Sequence, residues 1–278
     1  MMTKDSIKQI VVKTYGDLAK STQQKLVQKL FGCCDPQEQT AAIGKTIGYS
    51  EEELDRAPEG ANLGVGCGNP SALADIKAGK VVVDLGSGAG FDAFIVAPKV
   101  GESGQVIGID LSDDMLKLAR KNARKSNIDN VQFVKGDIEA LPLDEAMADH
   151  VISNCVINLS MDKAAVFQEA YRVLKPGGRL AISDIILERE LPDWIKDSVA
   201  GHIACISGAE VWTDYRQYIE DAGFREIQIV SKSEFPIELM LMDPQLQKLA
   251  REFNLSPDSE QAKELASRVK SLSITAVK

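Results

Sequence analysis

The run Val-Val-Val-Asp-Leu-Gly-Ser-Gly-Ala-Gly, residues 81 to 90, constrains this chain more than any other stretch. Val81 to Leu85 reads as a buried strand, and the alternating Gly86, Gly88 and Gly90 turn it into a helix through Phe94 to Val100. A strand that passes through a glycine turn into a helix is the opening unit of a parallel α/β sheet. The pattern continues downstream. Gln105 to Ile109 reads as a second strand ending at Asp110, and Ser112 to Lys125 as a helix with Ser112 as its N-cap. Val131 to Lys135 and His150 to Asn154 are strands, Lys163 to Leu174 is a helix closed by the Lys-Pro-Gly-Gly of 175 to 178, and Arg179 to Ile186 is a fifth strand. This alternation predicts an α/β fold, a doubly wound and mostly parallel sheet with right-handed crossovers. Further on, Tyr215 to Ala222 is helical and stopped by Gly223, and Glu226 to Val230 and Ser271 to Val277 read as strands.

The flanks are less regular. At the N-terminus, Ile7, Ile10, Val11 and Tyr15 mark one helical face and Leu26, Val27, Leu30 and Phe31 another, before Gly32-Cys33-Cys34-Asp35-Pro36 breaks the pattern. Ser50 to Leu54 reads as a capped helical turn and Ala57 to Pro70 as a glycine-rich loop. The expected organisation is an N-terminal helical extension over 1–60, a main domain over 61–235, and a small C-terminal element over 236–278 that includes a final edge strand. Within that element, Ile237 to Leu265 is polar and partly helical.

With 44% hydrophobic residues the chain can bury a sizeable core, and its net charge of -9 argues against a nucleic-acid partner. The densest basic stretch, Lys117 to Lys125, is spaced as one solvated helix face. No apolar run is long enough to span a bilayer, and Met1-Met-Thr-Lys-Asp-Ser lacks the pattern of a secretory signal, so the expectation is a cytoplasmic protein with no membrane partner. Five cysteines (Cys33, Cys34, Cys67, Cys155 and Cys205) are then either reactive or metal-binding thiols or inert core residues, rather than a disulfide framework.

The glycine loop departs from the dinucleotide fingerprint, because Phe91 stands where that fingerprint has a small residue. Asp84, two residues before the first glycine, is ill suited to phosphate and well suited to a cationic group such as the amino group of a methionine moiety. Asp110 follows at the end of the second strand, where a carboxylate can accept both hydroxyls of a ribose. Met115 is placed to pack on an adenine face, and Asp137 to meet an adenine amino group. Over Lys80 to Val230 these residues, with the turn Leu174-Lys-Pro-Gly-Gly178, resemble the class I S-adenosylmethionine-dependent methyltransferases. The resemblance implies a Rossmann-like domain with S-adenosylmethionine as cofactor. It also implies a cofactor site built from Asp84, Gly86, Gly88, Gly90, Asp110, Leu111, Met115, Asp137, Ile138 and Asn154.

Residues after the fourth strand face the methyl acceptor in such a fold. Here they are Ser153-Asn-Cys-Val-Ile-Asn158, without the Asn/Asp-Pro-Pro-aromatic signature of enzymes that methylate base or amide nitrogens. What they offer is a thiol, Cys155. Cys67 lies between glycines and is poorly placed for core packing, whereas Cys205, read on an apolar helix, suits core and ligand roles equally. Three thiols near a methyl donor suit a soft, thiophilic acceptor, and a trivalent metalloid needs three ligands where zinc favours a fourth. The segments Gly66-Cys-Gly-Asn-Pro70, Ser153-Asn-Cys-Val-Ile-Asn-Leu159 and Cys205-Ile-Ser-Gly-Ala209 resemble the arsenite methyltransferases.

That resemblance implies arsenic detoxification by methylation, with As(III) bound at Cys67, Cys155 and Cys205 and arriving as arsenite or its glutathione conjugate. It also implies an N-terminal cysteine, either Cys33 or Cys34, that pairs with Cys67, with thioredoxin or glutathione as the reductant that resets the pair. Two other readings compete. A methyltransferase of an organic small molecule, such as a quinone or sterol precursor, would share the cofactor half but need a base and an aromatic pocket. The chain has two histidines, His150 and His202, and 5% aromatic residues. A non-catalytic thiol-based metalloid binder would not need the intact loop from Asp84 to Gly90.

Overall fold

The computed structural model describes residues 4–21, 36–196, 198–203, 205–234, 250–256 and 259–278. Its centre is a seven-stranded sheet in the order β3-β2-β1-β4-β5-β7-β6. Strands β1 (Val81–Leu85), β2 (Gln105–Asp110), β3 (Val131–Lys135), β4 (Ala148–Asn154) and β5 (Leu174–Leu187) run parallel, while β6 (Arg225–Glu234) and β7 (Val269–Val277) pair antiparallel. Chain order reverses between β1 and β4, which opens a crevice beyond the carboxyl ends of those two strands.

The helices form where the sequence satisfies their ends. In α1 (Lys4–Lys20) Asp5 stands in the first turn and Lys20 in the last. The chain resumes with α2 (Pro36–Thr46) and α3 (Glu51–Arg56), the latter started by a capping box in which Ser50 and Glu53 satisfy each other's backbone N–H groups. Phe91–Val100 (α4) follows β1, and Asp113–Lys125 (α5) follows β2 with the Ser112 hydroxyl accepting from the Met115 N–H. Lys163–Val173 (α6) and Trp212–Asp221 (α9) cover the sheet beside β5, with the short α7 (Asp193–Lys196) and α8 (Val199–Ile203) between them, and α10 (Glu260–Arg268) leads into β7. The central parallel strands are buried on both faces, unlike β3 at the edge. Val82, Val83, Leu85, Val106, Ile109, Val151 and Ile152 are nearly solvent-free, which is why they read as continuous apolar runs.

Three expectations change. The final strand is not an edge: β7 lies between β5 and β6, joined to β5 by a continuous ladder from Arg179 opposite Val277 to Leu187 opposite Val269. Its side chains explain the position, since Val269, Leu272, Ile274 and Ala276 are buried, while β6 is exposed along its length and carries Lys232 at the true edge. The C-terminal segment therefore completes the main sheet. The Lys-Pro-Gly-Gly turn is a bulge inside β5, which pairs Leu174 with Ala148 before resuming at Arg179 opposite His150. The helix start placed at Phe94 is at Phe91. Of the two expected N-terminal helical faces, the one bearing Leu26, Val27, Leu30 and Phe31 lies outside the described residues, as does most of the segment 237–265 before α10. No helix among the described residues is long and apolar enough to cross a membrane.

Candidate active site

A cleft opens at the β1–β4 crevice. Asp84, Gly86, Gly88, Asp110, Leu111, Met115, Asp137, Ile138 and Asn154 all line it. Gly90 does not. It caps α4 in the left-handed region at φ 92°, where a Cβ would lie 2.6 Å from Phe133 and Phe94, so its contribution is to let α4 close on the sheet.

The carboxylates differ in what they have left to offer. Asp84 is 2% exposed and its Oδ2 has no hydrogen-bond partner among the described residues. Burial, reinforced by the nearby Asp92 and Asp110, pushes its carboxyl well above the usual range. The Ala93 N–H supports the carboxylate, and the buried oxygen left without a partner in the cleft is suited to a cation. Asp110 accepts from the Gly88 N–H at 2.9 Å and the Ser112 N–H at 2.8 Å, which fixes it with lone pairs still available towards the cleft. Gly88 supplies open space: a Cβ there would meet only Met115 Sδ, at 4.0 Å. Asp137 is paired already, with Lys8 Nζ of α1 at 2.6 Å, and Lys8 also meets Glu139 at 2.9 Å. Helix α1 thus lies along the cleft, with Val11, Val12 and Tyr15 on its wall.

Beyond β4 the thiols gather. Cys67, Cys155 and Asp184 place one donor atom each within 4.8 Å of one another. Cys205 joins them, because its thiol interacts with that of Cys155 and donates to the Cys155 carbonyl at 3.1 Å. Cys155 and Cys205 line the cleft, as does Gly66, whereas Cys67 itself does not. The glycine flanks of Cys67 do not leave it in an open loop. It is 4% exposed and packs in a cluster with Ile185, Leu187 and Ile206. Its N–H donates to Asn154 Oδ1 at 3.0 Å, its thiol to the Ser183 carbonyl at 3.2 Å, and its carbonyl accepts from Ser271 of β7 at 2.6 Å. Gly68 permits this closeness, since a Cβ there would lie 2.6 Å from the Ser183 side chain. Cys205 is not on a helix: it sits in the turn after α8 at φ 62°, and Cys155 has φ 57°. Left-handed backbone at a non-glycine residue costs about 1–3 kcal/mol and collects at functional sites. Cys33 and Cys34 lie outside the described residues.

Burial pushes the Cys67 thiol up to about 11. At Cys155 a hydrogen bond from Cys205 pulls the other way, yet the Cys67 contact and burial leave it well above the ordinary thiol value. None of the three is in a disulfide.

Several site residues were not anticipated. Asp92 accepts from the Tyr49 hydroxyl at 2.6 Å and the Asn154 amide at 3.1 Å, which ties the start of α4 to the Cys67 loop. Asp184 accepts from Tyr215, Asn158 and the Ile185 N–H beside the thiols. The signal for both was present: a lone acid in an otherwise apolar helix (Phe91-Asp-Ala-Phe-Ile-Val96) and in an apolar strand (Leu180-Ala-Ile-Ser-Asp-Ile-Ile186). Neither histidine lines the cleft, and the His202 ring meets the Leu159 carbonyl at 3.2 Å.

Residues 76–223 match the family model described as a methyltransferase domain. The chain is 43% identical over 207 residues to an arsenite methyltransferase of Halobacterium salinarum, covering 73% of this chain and 52% of that protein. It is 36% identical over 210 residues to an arsenite methyltransferase of Aquipseudomonas alcaligenes, covering 73% and 58%. A crystal structure of an arsenic(III) S-adenosylmethionine methyltransferase from Chlamydomonas reinhardtii superposes with a TM-score of 0.61 at 31% identity, covering 88% of this chain and 74% of that one. This chain belongs to the arsenite methyltransferase family. It spans about half the length of the curated members of the family it matches. The family's cofactor, S-adenosylmethionine, fits the cleft on independent grounds: a buried carboxylate with one oxygen unpartnered for its amino group, a fixed carboxylate for its ribose and open space at Gly88 between them.

Proposed function

We propose that this chain transfers methyl groups from S-adenosylmethionine to trivalent arsenic held by Cys67, Cys155 and Cys205, a detoxifying reaction. The reading is carried by one observation, the clustering of these thiols at a cleft that Cys155 and Cys205 line together with Asp84, whose Oδ2 has no partner among the described residues.

Arsenite carries three hydroxyls, and each exchange with a thiol forms one As–S bond and releases one water. Thiols held protonated by burial bring the proton that the departing hydroxyl needs, so exchange requires no separate acid. A glutathione conjugate would exchange in the same way, releasing glutathione. Arsenic bound by three sulfurs keeps a lone pair, so attack needs no general base, in keeping with the absence of histidine from the cleft wall. When bound, the cofactor supplies an electrophilic methyl group on a sulfonium. Asp84 would hold its amino group, Asp110 its ribose and Met115 its adenine face. The protein's contribution is orientation, which can supply about 7–11 kcal/mol of a barrier. Val156, Leu159 and Ile185 present an apolar wall, suited to a reaction in which the cofactor loses its charge.

Methyl transfer takes two electrons from arsenic. A thiol of Cys33 or Cys34 that closes a disulfide with Cys67 returns them and frees the trivalent product, and thioredoxin or glutathione then reduces the disulfide. This cycle fits a cytoplasmic, reducing setting. Replacing Cys33 and Cys34 together by serine should leave the first turnover intact and slow later ones at least tenfold. Unchanged multiple-turnover rates would remove them from the cycle.

The direct test of the reaction offers the labelled cofactor with arsenite or with a panel of phenols and quinols. Label should appear on arsenic and not on the phenols. The reverse result would assign the chain to an organic acceptor.

A further inference from the structure

Arsenic, as proposed above, uses sulfur alone, yet the thiol cluster contains an oxygen donor. Asp184 places a carboxylate oxygen within 4.8 Å of the sulfurs of both Cys67 and Cys155. The carboxylate is fully buried and held on three sides: Oδ1 accepts from Asn158 Nδ2 and the Ile185 N–H, each at 2.9 Å, and Oδ2 accepts from the Tyr215 hydroxyl at 2.9 Å. A carboxylate oxygen has two lone pairs, so Oδ2 retains one. No Lys or Arg side chain among the described residues donates a hydrogen bond to this carboxylate. Two sulfurs and one rigid carboxylate oxygen are a donor set of borderline softness. That set suits Zn(II), which takes Cys and Asp ligands together, whereas three thiolates suit a trivalent metalloid.

We infer that Cys67, Cys155 and Asp184, with a water completing the tetrahedron, form a binding site for a divalent thiophilic cation, Zn(II), that overlaps the arsenic site and competes with arsenite for it. The inference rests on the thiols being the arsenic ligands and adds Asp184 as the group that lets the pocket accept zinc. Tetrahedral zinc with bonds of about 2.0–2.3 Å sets donor atoms about 3.5–3.8 Å apart, so the cluster closes on the ion by about 1 Å. Each thiol that binds the ion gives up its proton to solvent. Zinc has no lone pair to offer a methyl donor, so the zinc-loaded pocket is a blocked one.

The test uses the full chain with Cys33 and Cys34 replaced by serine, which leaves three cysteines. Zn(II) affinity is read by competition with a chromogenic chelator, and arsenite affinity by protection of the thiols from alkylation. One zinc should bind per chain and be displaced by arsenite. Asp184→Asn keeps an oxygen for Asn158 and Ile185, and the Tyr215 hydroxyl can turn to accept from the new amide, so the fold is retained. That variant should weaken zinc at least tenfold and arsenite less than threefold. Cys205→Ser should do the opposite. Equal losses of both ligands in Asp184→Asn, or zinc binding unaffected by it, would overturn the inference. Arsenite binding without any zinc binding would overturn it too, while leaving the arsenic site standing. Zinc binding with no arsenite protection would instead count against the arsenic site on which the inference depends.

Discussion

Cys155→Ser should lower kcat/KM for arsenite methylation by at least about a thousandfold, because a hydroxyl is a hard donor that does not hold arsenic against the methyl donor, and orientation carries much of the barrier. Cofactor affinity should stay within about threefold, since Asp84, Asp110 and Met115 are untouched. Left-handed backbone at Cys155 sharpens the comparison. In Cys155→Gly the loss of Cβ relieves a strained conformation, so this variant should melt no lower than the parent while being equally inactive. A cysteine kept for packing would behave in the opposite way, with activity surviving and stability falling. Arsenite methylation at the parent rate in Cys155→Ser would remove the thiol from the acceptor site.

The second large effect is at the other end of the cleft. Asp84→Asn should weaken S-adenosylmethionine by roughly a hundredfold, about 3 kcal/mol, because it removes the charge that faces the cofactor's amino group in a buried place. Arsenite protection of the three thiols should be unaffected. The pH dependence has a defined sign. Burial holds the Asp84 carboxyl above the ordinary range, so the empty site is protonated at pH values where a free aspartate is ionised. Binding a cation expels that proton, and cofactor affinity should rise as pH rises through that raised range. Calorimetry in buffers of different ionisation heat would report the released proton. Asp84→Asn should abolish both the release and the pH dependence. A pH-independent affinity in the parent would show that Asp84 is not the counter-charge.

How much of this was legible in the chain depends on the range over which each feature acts. Strands β1 and β2 were readable to within a residue, because burial on both faces leaves a run such as Val81-Val-Val-Asp-Leu85 with no other stable reading. That Asp84 and Asp110 line the cleft was readable because they lie at the carboxyl ends of strands, where topology puts ligands. The place of β7 was not readable: strand order is decided by which strand tolerates the edge, and that comparison involves β6, whose exposure no local pattern displays. Cys67 between glycines read as poorly placed for core packing because small neighbours offer little to pack against. Here those glycines let the loop press against Ser183 and Ser271, and the thiol is buried. Asp92 and Asp184 were missed for a related reason. A single acid in an apolar segment has no local partner, and its partners Tyr49, Asn154, Asn158 and Tyr215 come from distant parts of the chain.

The central claim is that arsenic is held by three protein sulfurs beside the methyl donor's site. X-ray absorption at the arsenic edge tests it directly, on the reduced chain with Cys33 and Cys34 replaced by serine and one equivalent of arsenite bound. The account predicts three sulfur neighbours and no oxygen, falling to two sulfurs in Cys205→Ser. Arsenic that keeps its oxygen shell, or whose sulfur count is unchanged by Cys205→Ser, would contradict it.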